Sequence, residues 1–215
     1  AMGIRHFELE PYEADDIIGT IAKMADQDPE YDATIVSSDK DLLQLITDVV
    51  DVKLLKQKGH VRYNPATFKE DWGINPIEII DYKALAGDSS DNIPGVKGVG
   101  DKTALTLLQK YGTIENIYDH IDEVKGKLQE KLIADKESAF ISKEIATIYK
   151  DVPLNITFEE LKYVGPTDKL MEIYRDLEFY SLVKNDESTK HEVKEISYKR
   201  VTNIDEIKLD NEVAF

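Results

Sequence analysis

The run Ile93-Pro94-Gly95-Val96-Lys97-Gly98-Val99-Gly100-Asp101-Lys102-Thr103-Ala104-Leu105 constrains the chain more than any other segment. Apolar residues alternate with glycines and then give way to a helical pattern. Glycine takes up the positive backbone angles of a tight hairpin and lets the backbone approach a ligand closely. The helix that follows starts with unpaired N–H groups, which suit a phosphate. Lys97 and Lys102 add positive charge, while Ala104, Leu105, Leu107 and Leu108 supply an apolar face. This is the pattern of a helix-hairpin-helix. It would hold a duplex backbone through Gly95, Lys97, Gly98, Gly100, Lys102 and Thr103 without reading base sequence. A glycine-rich turn between two helices, with no ligand, is the plainer alternative.

Charge opposes that reading at first sight. The 27 basic and 43 acidic residues leave a formal net charge of -16, whereas a nucleic-acid footprint is normally basic. The objection weakens if part of the acid is gathered to hold divalent cations, because a bound ion turns local negative charge into affinity for phosphate. The chain has no cysteine, so it offers no disulfide framework, thiolate metal site or cysteine nucleophile, and a reducing cytoplasm suits it. Its four histidines, His6, His60, His120 and His191, lack ligand spacing, which argues against zinc and leaves hard oxygen ligation by Mg²⁺ or Mn²⁺. No apolar stretch has membrane-spanning length, so no membrane partner is expected.

Periodicity divides the 215 residues into an α/β part and a helical part. A helix is expected from Pro11 to Asp26, then a buried strand at Ala33–Ser37, and a short helix capped by Ser38-Asp39. Val49 to Leu55 and His60 to Tyr63 read as paired strands about the Gln57-Lys58-Gly59 turn. From Asn64-Pro65 onward the pattern is helical. Asn75-Pro76 opens a helix to about Ala86, and others are expected at Lys102 to Tyr111, Ile114 to His120, Lys127 to Tyr149 and Thr167 to Leu177. The expected organisation is a cloning remnant at 1–2, an α/β metal-site region at 3–86, and a helical subdomain at 87–184. A charged linker at 185–199 would lead into the truncated start of a further domain at 200–215.

Three acidic clusters carry candidate chemistry: Glu13-Ala14-Asp15-Asp16, Asp39-Lys40-Asp41 and Asp88-Ser89-Ser90-Asp91. On a helix Glu13 and Asp16 share a face, and Asp15 projects elsewhere. Asp39 follows the carboxyl end of a buried strand, where open α/β sheets place their sites. Taken singly, each cluster has a structural reading: first-turn acids facing a helix dipole, an N-cap, and an Asp-rich turn. Taken together they suit a magnesium centre, in which two ions about 3.5–4 Å apart stabilise both oxygens of a phosphoryl displacement.

In order along the chain, Tyr12-Glu13-Ala14-Asp15-Asp16-Ile17-Ile18-Gly19-Thr20, Ser38-Asp39-Lys40-Asp41-Leu42-Leu43-Gln44-Leu45 and the run from Ala86 to Gly100 closely resemble the 5′ nuclease domains of bacterial DNA polymerases I, within the flap endonuclease family. The resemblance covers Gly3 to about Asn185. It implies a partial PIN/flap-endonuclease-like parallel sheet with helices, followed by a mostly helical helix-hairpin-helix subdomain. It further implies a two-metal 5′–3′ exonuclease and flap endonuclease with Asp39, Asp41 and Asp88 as catalytic residues. Glu13 and Asp39 would lean toward one ion and Asp41, Asp88 and Asp91 toward the other, with Asp15 and Asp16 completing the metal set. Hairpins of this family also hold K⁺ through their carbonyls. The implied partners are duplex DNA with a 5′ flap or nick and the polymerase domains of the same parent chain. Family members also carry an earlier strand with an aspartate, a second aspartate and a basic arch, all of which would precede Gly3. The chain alone is therefore expected to be weakly active or inactive. A non-catalytic duplex-binding module and an RNA-directed nuclease of the same metal type are the competing readings.

Overall fold

The computed structural model describes residues 1–183. The expected linker at 185–199 and the expected strand in the tail at 200–215 lie outside the described residues, as does His191. The chain forms two compact units, one of His6–Glu160 and the other of Ala1–Arg5 with residues from Leu161 onward. All the candidate site residues belong to the first.

That unit begins with helix α1 (Ala14–Gln27), whose N-cap is Glu13. The first turn starts later than Pro11 suggested, because Glu13 and Asp16 form a reciprocal capping box that fixes the helix start. Ile17, Ala22 and Ala25 face the core. Strand β1 (Ala33–Ser37) follows, then a 3₁₀ turn at Asp41–Leu45 and strands β2 (Val50–Leu55) and β3 (His60–Tyr63). The sheet order is β1-β2-β3. β1 and β2 run parallel with Ala33 opposite Val50, and β2 and β3 run antiparallel with Leu55 opposite His60. The α/β expectation holds, with one antiparallel hairpin attached to the parallel pair.

The helical part runs α2 (Pro65–Trp72), a 3₁₀ turn at Pro76–Glu78, then α3 (Ile79–Ala86), α4 (Asp101–Tyr111) and α5 (Ile114–Asp119). It continues through α6 (Lys127–Ala134) and α7 (Lys136–Ala146). The single helix expected from Lys127 to Tyr149 is thus two, and it also ends earlier. Asp135, at φ -107° and ψ 22°, leaves the helical region and serves as C-cap of one helix and N-cap of the next. The second unit contains α8 (Leu170–Asp176) and α9 (Tyr180–Val183). No helix among the described residues is long and apolar enough to cross a membrane.

One apolar core joins the sheet to the helices. Leu43, Val50 and Val52 from the α/β part lie in the same cluster as Phe68, Leu85, Leu108, Ile114 and Leu132 from the helical part. Burial of this kind contributes about 25 cal/mol per Å² of apolar surface removed from water. The segment after α7 then returns to α1 and latches onto it. Gln44, 2% exposed, donates from its amide to Ala146 O and accepts from Ile148 N. Thr20 Oγ1 accepts from Val152 N at 3.1 Å. Gly19 makes the close approach possible, since a Cβ there would lie 2.8 Å from Ile148 Cγ2.

Candidate metal centre and hairpin

The carboxylates separated in sequence converge at one end of the α/β part. An open cleft of about 450 Å³ is lined by Glu13, Asp15, Asp16, Asp39, Asp41 and Asp91, with Ile93 and Ile145 to Ile148 forming an apolar wall. Asp15 faces the same cleft as the other acids, contrary to the helical-wheel expectation. Glu13 is the N-cap rather than a helical residue, so the wheel does not apply to it. Burial, followed by the charges of Asp39, Asp41, Glu13 and Asp16, pushes the Asp15 carboxyl up to about 6. Asp39 caps no helix here. Its Oδ1 accepts from Asp41 N at 2.9 Å, and Ser37 Oγ accepts from Asp39 N. This local turn aims both acids beyond the end of β1.

Both carboxylate oxygens of Asp16 are engaged by backbone. Oδ2 closes the capping box on Glu13 N at 3.2 Å, and Oδ1 accepts from Tyr149 N at 3.1 Å. Asp16 therefore ties α1 to the returning segment at the rim of the cleft.

The tightest acidic grouping is Asp41, Asp88 and Asp91, which can each place one oxygen within 4.8 Å of the others. Three oxygen donors at that spacing, from two separate segments, fit a hard divalent cation. Asp88 and Asp91 bracket a turn closed by the reciprocal backbone bonds Asp88 N to Ile93 O and Ile93 N to Asp88 O. Within that turn the Ser90 hydroxyl, and after it the Lys83 ammonium, hold the Asp88 carboxyl down at about 2, with burial opposing. Asp88 also opens to a smaller cleft beside Trp72 and Tyr82.

Lys83 was not singled out in the sequence. It lies on α3, its side chain is 6% exposed, and its ammonium pairs with Asp41, with Asp88 at 2.9 Å and with Asp91 at 3.0 Å. Burial opposes its charge, but the hydrogen bonds it donates to the three aspartates outweigh that and raise its pKa. Burial conversely pushes the Asp41 carboxyl up, with the Lys83 hydrogen bond opposing. A lysine in an alanine- and leucine-rich helix reads as a surface residue. Its position four residues before Gly87 was the available signal, because i and i+4 share a face, here the one that ends at the Asp88 turn.

The glycine-rich segment follows directly. Gly87 and Gly95, at φ 72° and 62°, cross so closely that a Cβ on Gly95 would lie 2.3 Å from Gly87 N. Val96 N donates to Leu85 O, and Val99 N to Val96 O, which folds the turn into α4. Val96 and Val99 are buried, while Lys97, Gly98, Gly100 and Lys102 are exposed and Thr103 is half-buried. Gly100 caps α4 without any side-chain bond, so the helix presents its first N–H groups beside Lys97 and Lys102. The structure thus separates two features: an acidic cleft, and an exposed turn feeding a helix N-terminus.

Comparison with known proteins accounts for this pairing. Residues 1–73 match the family described as 5′-3′ exonuclease, N-terminal resolvase-like domain, and residues 74–169 match 5′-3′ exonuclease, C-terminal SAM fold. DNA polymerase I of Streptococcus pneumoniae strain R6 is 50% identical over 186 residues, covering 84% of this chain and 21% of that protein. DNA polymerase I of Bacillus subtilis is 44% identical over 215 residues, covering 95% of this chain and 24% of the other. The chain therefore spans between a fifth and a quarter of the length of these curated relatives. Among solved structures, T5 5′-exonuclease with bound zinc superposes at TM-score 0.57 and 28% identity, covering 66% of this chain and 52% of that one. A complex of the bacteriophage T5 flap endonuclease with DNA and metal ions superposes at 0.56 and 28% identity, over 65% and 51%. The chain belongs to the 5′–3′ exonuclease family, in the form carried by bacterial DNA polymerases I.

Proposed function

We propose that the chain contributes 5′–3′ exonuclease and flap endonuclease chemistry on DNA as part of a DNA polymerase I. The observation that carries this reading is the convergence of Asp41, Asp88 and Asp91 within 4.8 Å, immediately before an exposed hairpin that ends in an uncapped helix. The solved relatives described with zinc and with DNA and metal ions support it. Divalent ions, Mg²⁺ or Mn²⁺, would supply Lewis-acid stabilisation of the phosphodiester oxygens.

The chain's own residues divide the work. Asp41, Asp88 and Asp91 would hold one ion. Glu13, Asp15 and Asp39 would bind a second across the same cleft. Asp16 positions α1 against the returning segment through its two backbone bonds, and we assign it no ion. Lys83 offsets the mutual repulsion of its three carboxylates and keeps them together. Outside the cleft, Lys97, Lys102 and the N–H groups of α4 would take duplex phosphates at a fixed offset from the ions, setting which bond is cut without reading sequence. A duplex with a 5′ flap or nick is the proposed substrate, the polymerase domains of the same chain are the proposed partners, and the cytoplasm is the setting that role requires.

The test is cleavage of a labelled 5′-flap duplex by the parent polymerase with and without Mg²⁺. Asp88→Ala should lower the rate by two or more orders of magnitude, and the polymerase activity serves as an internal control. Unchanged flap cleavage in that variant would remove Asp88 from the centre.

A further inference from the structure

The backbone of the hairpin is held by one face of α6 and α7. Lys131 Nζ donates to Gly98 O at 2.8 Å. Asp135 Oδ2 accepts from Lys97 N at 2.8 Å. Ser138 Oγ donates to Gly95 O at 2.7 Å, and Ser142 Oγ accepts from Gly95 N at 3.0 Å. The spacing of these four residues, i, i+4, i+7 and i+11, is that of one helical face, carried across the break at Asp135. Ser142 is fully buried, so its bond to Gly95 is made away from water, where a lost partner is costly. Gly98 is what admits Lys131, because a Cβ at that glycine would lie 2.6 Å from the Lys131 ammonium.

Two of these contacts take up carbonyls of the turn, and local backbone bonds take up two more. Gly95 O receives Ser138, Val96 O receives Val99 N, Gly98 O receives Lys131, and Gly100 O receives the N–H groups of Thr103 and Ala104. A carbonyl oxygen facing a phosphate repels it, and a cation on that oxygen reverses the local sign.

We propose that the Lys131–Asp135–Ser138–Ser142 face is a clamp that sets the hairpin for duplex binding. In it, Lys131 supplies to the Gly98 carbonyl the charge that a free monovalent cation would otherwise have to bring. The proposal rests on the reading of the hairpin as the duplex grip. Lys131 acts through Gly98 as a positioning residue, and the K⁺ expected at the hairpin is replaced at this carbonyl by a tethered ammonium.

Two measurements on the chain test it. The first uses no DNA: hydrogen exchange of the Lys97 and Val99 amides, which donate to Asp135 Oδ2 and Val96 O, in Lys131→Met. Lys131 is exposed, so the fold should persist. Exchange of these amides should quicken about tenfold while Leu107 and Leu108 in α4 stay protected, and Lys131→Arg should restore the original rate. Unchanged amide protection in Lys131→Met would overturn the clamp. The second is fluorescence anisotropy of a 5′-flap duplex in potassium chloride and in tetramethylammonium chloride at equal ionic strength. The native chain should bind equally in both. Lys131→Met should bind about fivefold more weakly in tetramethylammonium, recover in potassium, and keep its salt slope. A native chain as potassium-dependent as Lys131→Met would overturn the proposal. So would a slope reduced by about 0.9, which marks a direct phosphate contact. If the native chain binds no duplex at all, the grip reading fails, and the exchange measurement alone decides the clamp.

Discussion

Replacing Lys83 with methionine removes a buried cation and leaves three carboxylates facing one another. Truncating one partner of a fully buried ion pair costs about 3–5 kcal/mol. Here the partner side chains of Asp41, Asp88 and Asp91 are 21%, 26% and 45% exposed, so water screens part of the repulsion and a figure of about 2 kcal/mol is appropriate. For a chain of this size that lowers Tm by roughly 4–8 °C. The same substitution should improve divalent binding. A unit charge about 5 Å from a dication costs about 1.7 kcal/mol even at the dielectric constant of water, slightly more than tenfold in affinity. Thermal unfolding with and without Mn²⁺, together with calorimetric titration of Mn²⁺, reads both effects. The metal-free variant should melt lower, bind Mn²⁺ about ten times more tightly, and gain more Tm from the ion than the native chain does. An unchanged metal-free Tm, or an unchanged Mn²⁺ affinity, would refute the view of Lys83 as an internal counter-ion in the ion's own space.

Asp15 gives a pH dependence with a definite sign. Its folded pKa of about 6 lies above the ordinary value of 3.8, so the folded chain holds the extra proton between those values and the metal-free protein loses stability as pH rises through that window. Stability that instead increased between pH 4 and 6 in the native chain, with no such trend in Asp15→Asn, would contradict the assignment. Binding of Mn²⁺ near pH 6 should also release a proton, seen as a buffer-dependent enthalpy. Gln44→Ala strands Ala146 O and Ile148 N in a buried place and should cost about 2–4 kcal/mol in urea unfolding. The double variant Lys97→Ala with Lys102→Ala should weaken duplex binding and reduce the salt slope by about 1.8, whereas an unchanged slope would exclude these lysines from the phosphate contact.

The strands and most helices were legible because each has a local signature. The alternation in Val50–Leu55, the Asn64 cap before Pro65 and the run of acids before Ile17 all act within a few residues. The three acidic clusters were legible as local groups of carboxylates, and the hairpin as a turn, for the same reason. What escaped depends on partners distant in sequence. Lys83 takes its role from Asp41 and the Asp88 turn, neither of which α3 announces. Gln44 looks like a polar residue on a short amphipathic turn until its partners, more than a hundred residues on, are in place. The break at Asp135 occurs within a stretch of good helix formers, and it is held by Lys97 N on the far side of the turn, which no helical periodicity can show.

The returning segment carries a consequence for how the chain acquires its site in time. The bond from Val152 N to Thr20 Oγ1 spans 132 residues and that from Tyr149 N to Asp16 Oδ1 spans 133. Closing a flexible loop of that length costs about 4 kcal/mol of chain entropy beyond the constant term. Contacts of such high sequence separation are slow to form, so the sheet and the helical pairs can assemble before this closure occurs. Ile145 to Ile148 are also the apolar wall of the acidic cleft. The cleft is therefore complete only after the last long-range closure, and during refolding, cation affinity should lag behind the recovery of helical structure. An unfinished chain would still gather Asp41, Asp88 and Asp91 about Lys83, but it would lack the side of the cleft that the returning segment builds, so the affinity proposed for the whole cleft would belong to the finished fold.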